Sequence, residues 1–319
     1  MMQNNTLLVL LSTYNGAAYI SEQLDSIMEQ QYSPIQILIR DDGSSDHTVA
    51  IIRQYIATYP EQIQLIEGEN VGVVQSFWTL LQAANREAEY FCFCDQDDVW
   101  MPHKASKAVQ KLAELELSGT ASLPLPTMLC TATQLTDQQL QPTAIWPGPL
   151  AKQPSFYNAL IQNIAVGATM SFNRRTLELL LDEGADTDLQ RIQMHDWWVY
   201  LVVSSLGRVY FDEEPSIFYR QHGRNAVGGE ATLSAKIKKK WNSYRKHKHQ
   251  KLLVKQANEF KRIYGSRMSD AEMKFQLDAF IQPRPAWRDR WRYLRVCRLY
   301  RQSLPENLLF RFLIMSGYI

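Results

Sequence analysis

Short apolar runs alternate with helix-like segments along the first hundred residues. Each run is nearly continuous, as in strands that are buried on both faces of a sheet. The intervening segments repeat apolar residues every three or four positions, which predicts amphipathic helices. The predicted strands are residues 6–11, 35–39, 63–67 and 90–94, and the predicted helices are 20–30, 47–59 and 74–86. This order predicts an α/β fold with a Rossmann-like, mostly parallel sheet flanked by helices.

The pattern is less regular after residue 100. A helix is predicted to about residue 117, and a stretch rich in proline and glutamine at 137–155 is expected to be a mobile loop over the sheet edge. Further elements are predicted as strands at 127–133, 166–172, 207–211 and 217–220 and as an apolar helix at 194–205. From residue 236 the sequence is basic and permits helices. We therefore expect an α/β domain at 1–230 and a helical C-terminal extension at 231–319.

Charge is distributed unevenly along the 319 residues, although the net charge is only +1. Residues 1–235 carry 13 Lys/Arg and 27 Asp/Glu, whereas residues 236–319 carry 21 and 6. A basic extension on an acidic body predicts contact with a polyanion, either an anionic membrane surface or nucleic acid. The acidic body disfavours nucleic acid, so the membrane is the preferred partner. A solvated helical bundle or a homo-oligomer interface remains the alternative.

Cysteine usage and hydropathy predict the compartment. The four cysteines show no zinc spacing, which predicts buried thiols in a reducing compartment. The N-terminus has no basic segment with a cleavage site, and no run reaches the ~18 apolar residues that a membrane-spanning helix needs. We therefore expect a cytoplasmic protein, peripheral on the cytoplasmic face of the inner membrane.

Polar residues follow three of the predicted strands at the point where each strand ends. They are Ser12-Thr13-Tyr14-Asn15-Gly16, Asp41-Asp42-Gly43-Ser44-Ser45-Asp46 and Asp95-Gln96-Asp97-Asp98. The carboxyl ends of parallel strands meet at one edge, so these loops should form a single crevice. Carboxylates one residue apart, as in Asp95 and Asp97, suit a hard divalent cation that carries a phosphate. The alternatives are an acidic turn and, for Asp46, a helix cap.

These three motifs, together with the later His195-Asp196, resemble a family 2 glycosyltransferase with the GT-A fold. Their order and spacing match over residues 6 to about 228. The segments Asp-Gln-Asp-Asp-Val-Trp, His-Asp-Trp-Trp and Tyr-Arg-Gln-His-Gly are similar to those of rhamnosyltransferase-like enzymes of bacterial surface polysaccharide assembly. The resemblance implies an inverting, metal-dependent transfer of a sugar from a nucleotide-sugar donor.

The resemblance also implies roles for individual residues. A divalent metal, Mn²⁺ or Mg²⁺, would be held by Asp97 and by His222. Asp95 would lie between the metal and the ribose, and Gln96 belongs to the same donor site. The remaining donor-site residues would be Thr13, Tyr14 and Asn15 around the base, Asp41 and Asp42 at the base and ribose, and Arg220 at the diphosphate. Taken alone, His222 could equally be an ordinary histidine, and Arg220 could be solvated.

Asp196 matches the family's catalytic base, at the start of a late helix. A helix N-terminus lowers the pKa of a carboxylate, so Asp196 should be ionised at neutral pH. His195 is expected to be structural. Gly167, Trp197 and Trp198 are candidates for the acceptor site, through close backbone approach and ring stacking, although a turn glycine and core tryptophans are the ordinary interpretations.

The most favoured function is therefore sugar transfer to a lipid-linked oligosaccharide in O-antigen, capsule or exopolysaccharide synthesis. The donor would be dTDP-rhamnose, or otherwise a UDP-hexose. One alternative is a nucleotidyltransferase, although the basic, glycine-rich phosphate loop expected for it is missing between Ser12 and Asn15. The other is a nucleic-acid-binding protein that acts through the basic extension.

Overall fold

A computed structural model of the chain describes residues 5–118, 124–221 and 251–319. The strands are β1 Leu7–Thr13, β2 Ile35–Asp41, β3 Ile63–Glu67, β4 Tyr90–Asp95, β5 Val99–Trp100, β6 Thr127–Thr131, β7 Thr133–Thr136, β8 Pro142–Trp146, β9 Ser171–Asn173, β10 Arg208–Asp212 and β11 Ile217–Arg220. The α-helices are α1 Ile20–Met28, α2 Thr48–Thr58, α3 Val73–Ala83, α4 Lys104–Leu117, α5 Phe156–Ala159, α6 Arg174–Glu178, α7 His195–Leu206, α8 Leu252–Tyr264, α9 Ala271–Ile281, α10 Trp287–Val296 and α11 Leu304–Met315.

The main sheet joins seven of the described strands in the order β10-β6-β9-β4-β1-β2-β3. Neighbouring strands are parallel except at β9, which runs antiparallel to both β4 and β6. The parallel α/β expectation is confirmed, with β9 as its exception. Because β1, β2 and β4 are parallel neighbours, the three polar motifs leave the sheet at the same edge.

Both faces of the sheet are covered by apolar side chains. Along β1, Leu8 and Leu10 belong to one core cluster, whereas Leu7, Val9 and Leu11 belong to the other. Side chains alternate between the faces of a strand, so a continuous apolar run serves both layers. This explains why the strands lack the polar alternation of a half-exposed sheet.

A second, four-stranded sheet in the order β5-β11-β7-β8 lies beside the main sheet. Residues 137–155, predicted as a mobile loop, contribute β8, which pairs antiparallel with β7. The prediction of a loop was wrong for β8, because a composition rich in proline and glutamine gives no sign of main-chain pairing with β7. Gln138 and Trp146 of this stretch do face the cleft described below.

The segment 166–172 was predicted as one strand and is instead two elements. A 3₁₀ helix at Gly167–Thr169 precedes the short strand β9. The apolar composition is explained by burial, since Ala168 and Met170 are both in the core. A short buried apolar segment does not by itself distinguish a strand from a helical turn.

The described C-terminal helices pack against the α/β body. Phe260, Phe280, Tyr293 and Phe310 are buried in the same apolar cluster as the residues of β4 and α7. The proposed boundary at 230/231 and the lysine-rich stretch at 236–250 lie outside the described residues. Within the ranges that the structure describes, no helix combines the length and the apolar character needed to cross a membrane.

Candidate active site

A large open cleft of about 1340 Å³ lies at the carboxyl ends of β1 and β4. Its walls come from the loops after β1, β2 and β4, from the segment before the 3₁₀ helix, and from the start of α7. The predicted site residues that line it are Thr13, Tyr14, Asn15, Asp42, Asp95, Gln96, Asp97, Gly167 and Asp196. The structure therefore brings together, in one cleft, residues that are up to 183 positions apart in the chain.

Gln96 joins the acidic turn to the loop after β1. Its side-chain oxygen accepts hydrogen bonds from the Thr13 hydroxyl at 2.6 Å and from the Tyr14 amide at 2.8 Å. Its amide nitrogen donates to the Tyr14 carbonyl at 3.1 Å. A Cβ atom at Gly16 would overlap this Gln96 oxygen, so the close approach requires glycine.

The loops after β1 and β2 are also tied together. The Asn15 side-chain oxygen accepts from the Ser45 amide at 2.8 Å, and the Asn15 amide donates to the Ser44 hydroxyl at 2.8 Å. Asn15 has a φ of 48°, a left-handed conformation that asparagine tolerates better than most residues. This cross-linking fixes the shape of the cleft wall.

Asp41 and Asp42 differ in their surroundings. Asp42 lines the cleft, but its carboxylate already accepts from Arg40 at 2.5 Å and from the amides of Val71 and Gly72 at 2.9 Å each. Asp41 is buried and caps the following turn through Oδ2, whereas its Oδ1 has no partner among the described residues. Both carboxylates therefore shape the β2 loop.

The acidic turn after β4 concentrates negative charge at the cleft floor. Burial, together with the nearby carboxylates of Asp97 and Asp196, raises the pKa of Asp95 to about 7, although buried Lys104 partly offsets this rise. Asp98 does not line the cleft. It is buried and accepts from the Arg220 amide at 3.2 Å, and burial raises its pKa well above the usual value.

Arg220 lies beneath the acidic turn and is not among the residues that line the cleft. Its buried guanidinium donates to the Asp97 carbonyl at 3.1 Å, to the Gln138 carbonyl at 2.5 Å, and to Glu22. These contacts leave the predicted diphosphate role without support in this structure. Arg220 instead joins the acidic turn to α1 and to the β7–β8 connection.

Two carboxylates of the described residues suit a divalent metal. Asp95 and Asp97 both line the cleft, and no cluster of three or more acidic, histidine or cysteine side chains with metal-binding geometry occurs in the described parts of the chain. Magnesium-like ions are commonly held by one or two carboxylates together with substrate phosphates. The pair therefore fits a metal that arrives with a diphosphate. The third predicted contact, His222, lies outside the described residues.

Asp196 lies in the first turn of α7 and lines the same cleft. Its carboxylate accepts from the amide of Trp197 at 2.6 Å and from that of Gly167 at 3.0 Å, and the Asn163 side chain bonds it as well. Burial nevertheless raises its pKa to about 6. The predicted direction of the shift was wrong, because desolvation outweighs the helix N-terminus and these donors.

His195 packs against aromatic rings beside this carboxylate. Its ring stacks on Phe77 with 3.8 Å between centroids and meets Phe93 edge-on at 4.9 Å. Burial lowers its pKa to about 3, so the imidazole is neutral at pH 7. Neither ring nitrogen has a hydrogen-bond partner in the described structure, which agrees with a packing role.

The acceptor candidates have different environments. Gly167 lines the cleft and holds Asp196 through its amide. Trp198 is fully buried between Phe260 and Tyr264, so its proposed sugar-stacking role is wrong. The Trp197 indole donates to the Ala159 carbonyl at 2.6 Å, and this half-buried ring is not part of the cleft wall.

Several cleft residues carry no sequence signal that would have identified them. Asn163 bonds the predicted base, and burial raises the pKa of Tyr219, with a further rise from the charges of the nearby acidic residues. Gln138 and Trp146 contribute another wall from the β7–β8 region. They stand alone in the sequence and reach the cleft only through the fold.

Comparison with known proteins gives one family and related structures. The model of the family described as "Glycosyl transferase family 2" matches residues 8–166. The dTDP-rhamnosyl transferase RfbG of Shigella flexneri is 29% identical over 238 residues, which are 72% of this chain and 77% of that protein.

Two solved structures share the fold at low sequence identity. Residues 1–349 of S. aureus TarS, in complex with UDP, superpose with a TM-score of 0.56 at 16% identity, covering 88% of this chain and 71% of that one. This chain covers 42% of the longer TarS structure. The mannosyltransferase PcManGT of Pyrobaculum calidifontis, in complex with GDP-Man and Mn²⁺, superposes with a TM-score of 0.52 at 18% identity. The superposition covers 99% of this chain and 83% of PcManGT.

Proposed function

This chain belongs to glycosyl transferase family 2 and has the GT-A fold, and we propose that it catalyses an inverting transfer of L-rhamnose from dTDP-rhamnose to a lipid-linked oligosaccharide. The similarity to a dTDP-rhamnosyl transferase favours this donor over a UDP-hexose. The observation that carries the proposal is the single cleft that Asp95, Asp97 and Asp196 line together. Family membership decides against the nucleotidyltransferase alternative.

In this proposal the loops after β1, β2 and β4 bind the nucleotide. Thr13, Tyr14 and Asn15 surround the base, and their fixed arrangement limits the conformational entropy that is lost on binding. Of the aspartate pair, Asp42 lines the cleft and is the candidate for contact with the base or ribose, whereas Asp41 is buried and is not among the cleft-lining residues.

The diphosphate of the donor lies at Asp95 and Asp97. These two carboxylates would hold Mn²⁺ or Mg²⁺, which would stabilise the negative charge on the departing diphosphate. Burial and the neighbouring carboxylates of Asp97 and Asp196 raise the pKa of Asp95. Cation binding should therefore favour the ionised form of Asp95.

Asp196 acts as the general base on the acceptor side. It accepts the proton of the acceptor hydroxyl while that oxygen attacks the anomeric carbon from the face opposite the diphosphate. The bond between the sugar and the diphosphate breaks, and the nucleoside diphosphate leaves with the bonding electrons. A pKa of about 6 leaves Asp196 mostly ionised at pH 7 and still basic enough to take a proton.

The biological setting that we propose is O-antigen, capsule or exopolysaccharide synthesis at the cytoplasmic face of the inner membrane. A lipid-linked acceptor is the part of this proposal that requires such a location. The chain would then act where its acceptor is anchored, while the nucleotide sugar diffuses to it from the cytoplasm.

The proposal is tested by purified enzyme, dTDP-rhamnose or UDP-hexose, and lipid-linked glycan extracted from bacterial membranes. Transfer of labelled sugar to the lipid fraction is measured with Mn²⁺, with Mg²⁺ and with chelator. Asp97→Asn should abolish transfer and the metal-dependent thermal shift caused by dTDP. Asp182→Asn is the matched control, because this carboxylate is 54% exposed and lies outside the cleft.

The outcomes separate the parts of the proposal. Transfer from dTDP-rhamnose alone supports the rhamnosyl assignment, whereas transfer from a UDP-hexose alone replaces the donor and keeps the mechanism. Full activity of Asp97→Asn, or of wild-type enzyme in chelator, would contradict the metal assignment. Lack of transfer from every donor, with no nucleotide binding, would refute the proposed reaction.

A further inference from the structure

The last helix of the chain is apolar on both its buried and its exposed side. Phe310 and Ile314 of α11 lie in the core. On the opposite side, Leu304, Leu308 and Phe312 are 72%, 59% and 63% exposed. Residues four apart share one face of a helix, so these three side chains form a continuous apolar stripe in contact with solvent.

The neighbouring helix α10 adds two exposed tryptophans. Trp287 and Trp291 are one helical turn apart and are 64% and 52% exposed. The guanidinium of Arg295 lies 4.7 Å from the Trp291 ring centre, and that of Arg288 lies 5.7 Å from Trp287. The two helices are in contact, since Arg290 of α10 donates to a main-chain carbonyl at the end of α11 at 3.0 Å.

We call the exposed side chains Trp287, Trp291, Leu304, Leu308 and Phe312 the C-terminal apolar face. It lies in a strongly basic part of the chain, because residues 281–319 contain eight arginines and only two acidic residues. Exposed tryptophan, leucine and phenylalanine side chains in an arginine-rich segment are typical of helices that lie in the plane of an anionic membrane surface.

Charge also argues against a second copy of the chain as the occupant. In a twofold dimer the same patch meets itself, so the arginines around this face would be brought near those of the other copy. That repulsion opposes burial of the apolar stripe. Anionic lipid headgroups have the complementary charge, and the acyl region beneath them accepts the apolar side chains.

The apolar face begins next to the acceptor side of the cleft. Just before α11, the Gln302 amide donates to Gln162 at 2.9 Å, and Gln162 donates to Glu306 in the first turn of α11 at 3.1 Å. The next residue, Asn163, lines the cleft and bonds Asp196. A membrane bound at this face would therefore lie close in the structure to the wall that holds the base.

We propose that the C-terminal apolar face docks on an anionic phospholipid surface, with its tryptophans and leucines inserted among the headgroups and its arginines on the phosphates. This role rests on the proposed function in one respect, which is that docking at this face would present a lipid-linked acceptor to Asp196 from the membrane side. The binding surface itself is independent of the sugar that is transferred.

The test is cosedimentation of the full chain with vesicles of phosphatidylcholine alone or of equal parts phosphatidylcholine and phosphatidylglycerol. Wild-type protein should bind the anionic vesicles, and binding should fall as salt is added. The double change Leu308→Glu, Phe312→Glu should weaken binding at least about tenfold, since each side chain loses apolar burial. Arg288→Gln and Arg292→Gln should each weaken it about fivefold.

Leu117→Glu is the matched control, because Leu117 at the end of α4 is 86% exposed and lies outside this face. It should bind vesicles like wild type. All variants change exposed side chains, and retention of the nucleotide-induced thermal shift shows that each is folded. This shift also separates the two proposals, since it tests the donor site without lipid.

Three results would overturn the docking surface. One is that the double variant Leu308→Glu, Phe312→Glu binds anionic vesicles as well as the control Leu117→Glu does. Another is that wild-type protein binds nucleotide but does not bind vesicles. The third is that the wild-type protein is a dimer that does not bind vesicles, and that the double variant Leu308→Glu, Phe312→Glu is a monomer. This result would make the face a self-association interface. Loss of nucleotide binding with intact vesicle binding would instead refute the proposed function alone.

Discussion

Replacing Asn163 by alanine should move the acid limb of the pH–rate profile to higher pH. Asn163 bonds the Asp196 carboxylate, and this bond lowers a pKa that burial has raised to about 6. A hydrogen bond to a charged group contributes about 1.5–3 kcal/mol. One pKa unit corresponds to about 1.4 kcal/mol. Loss of the bond could thus raise the pKa by one to two units, and water from the open cleft should limit the change to about one.

The assay is kcat/KM for the acceptor, measured from about pH 5 to about pH 9 at saturating donor. In wild-type enzyme the rate should fall about tenfold per unit below about pH 6, because the base must be ionised. For Asn163→Ala the limb should lie near pH 7. The rate should therefore drop about fivefold relative to wild type at pH 6 and little at about pH 8.5.

Asn70→Ala is the control, because Asn70 also lines the cleft but is not among the groups that shift the pKa of Asp196. Whatever its effect on the rate, its acid limb should coincide with that of wild type. An unmoved limb in Asn163→Ala, or a surviving limb in the residual activity of Asp196→Asn, would show that another group controls the profile and would refute the assignment of the base.

Three further substitutions test other parts of the site. Gly167→Ala would place a Cβ 3.0 Å from the His195 Nε2 and 3.5 Å from the Asp196 Oδ2. This crowding should displace Asp196 and lower kcat up to about a hundredfold. Gly148→Ala is the control and should leave kcat unchanged, because the space around Gly148 is open. Gly16→Ala should raise the KM for the donor at least about tenfold, because the new Cβ overlaps the Gln96 side chain and breaks the hydrogen bonds of Gln96 to the loop after β1. A dTDP-induced thermal shift equal to that of wild type would contradict this prediction. Asp196→Asn should stabilise the fold by up to about 3 kcal/mol near pH 7. The pKa of Asp196 in the folded state, about 6, exceeds the ordinary 3.8, so ionisation of Asp196 destabilises the folded wild-type protein as pH rises through this interval. Near pH 4 the melting temperatures of wild type and Asp196→Asn should therefore be almost equal.

The positions of the acidic pair and of Asp196 follow from local sequence patterns, whereas the role of Asp196 as a base is implied only by the resemblance to family 2 glycosyltransferases. Continuous apolar runs that end in Asp41-Asp42 and Asp95-Gln96-Asp97 mark buried strands with polar loops at their carboxyl ends. Parallel pairing then brings those loops to one edge, so the existence and position of the cleft were predictable. The place of Asp196 at the start of an apolar helix is equally local, since it depends only on a run of helix-permissive residues after His195.

The environment of each side chain was not predictable in the same way. Trp197 and Trp198 are adjacent and chemically identical, yet Trp198 is fully buried because α8 packs over it, with Phe260 and Tyr264 against its ring. Arg220 was expected at the diphosphate, and its contacts with Glu22 and the Asp97 carbonyl join segments far apart in the chain. Such pairings leave no periodic trace in the sequence.

By itself the sequence determined the order of strands and helices and the identity of the residues at their ends, because these depend on spacing of a few positions along the chain. Only the tertiary structure decided that Asn163 would meet Asp196, and that burial would raise the pKa of Asp196 although it lies at a helix N-terminus. Desolvation and long-range hydrogen bonds depend on what surrounds a group in space. That surrounding is assembled from α7, from the segment before the 3₁₀ helix and from the acidic turn, which local patterning cannot relate to one another.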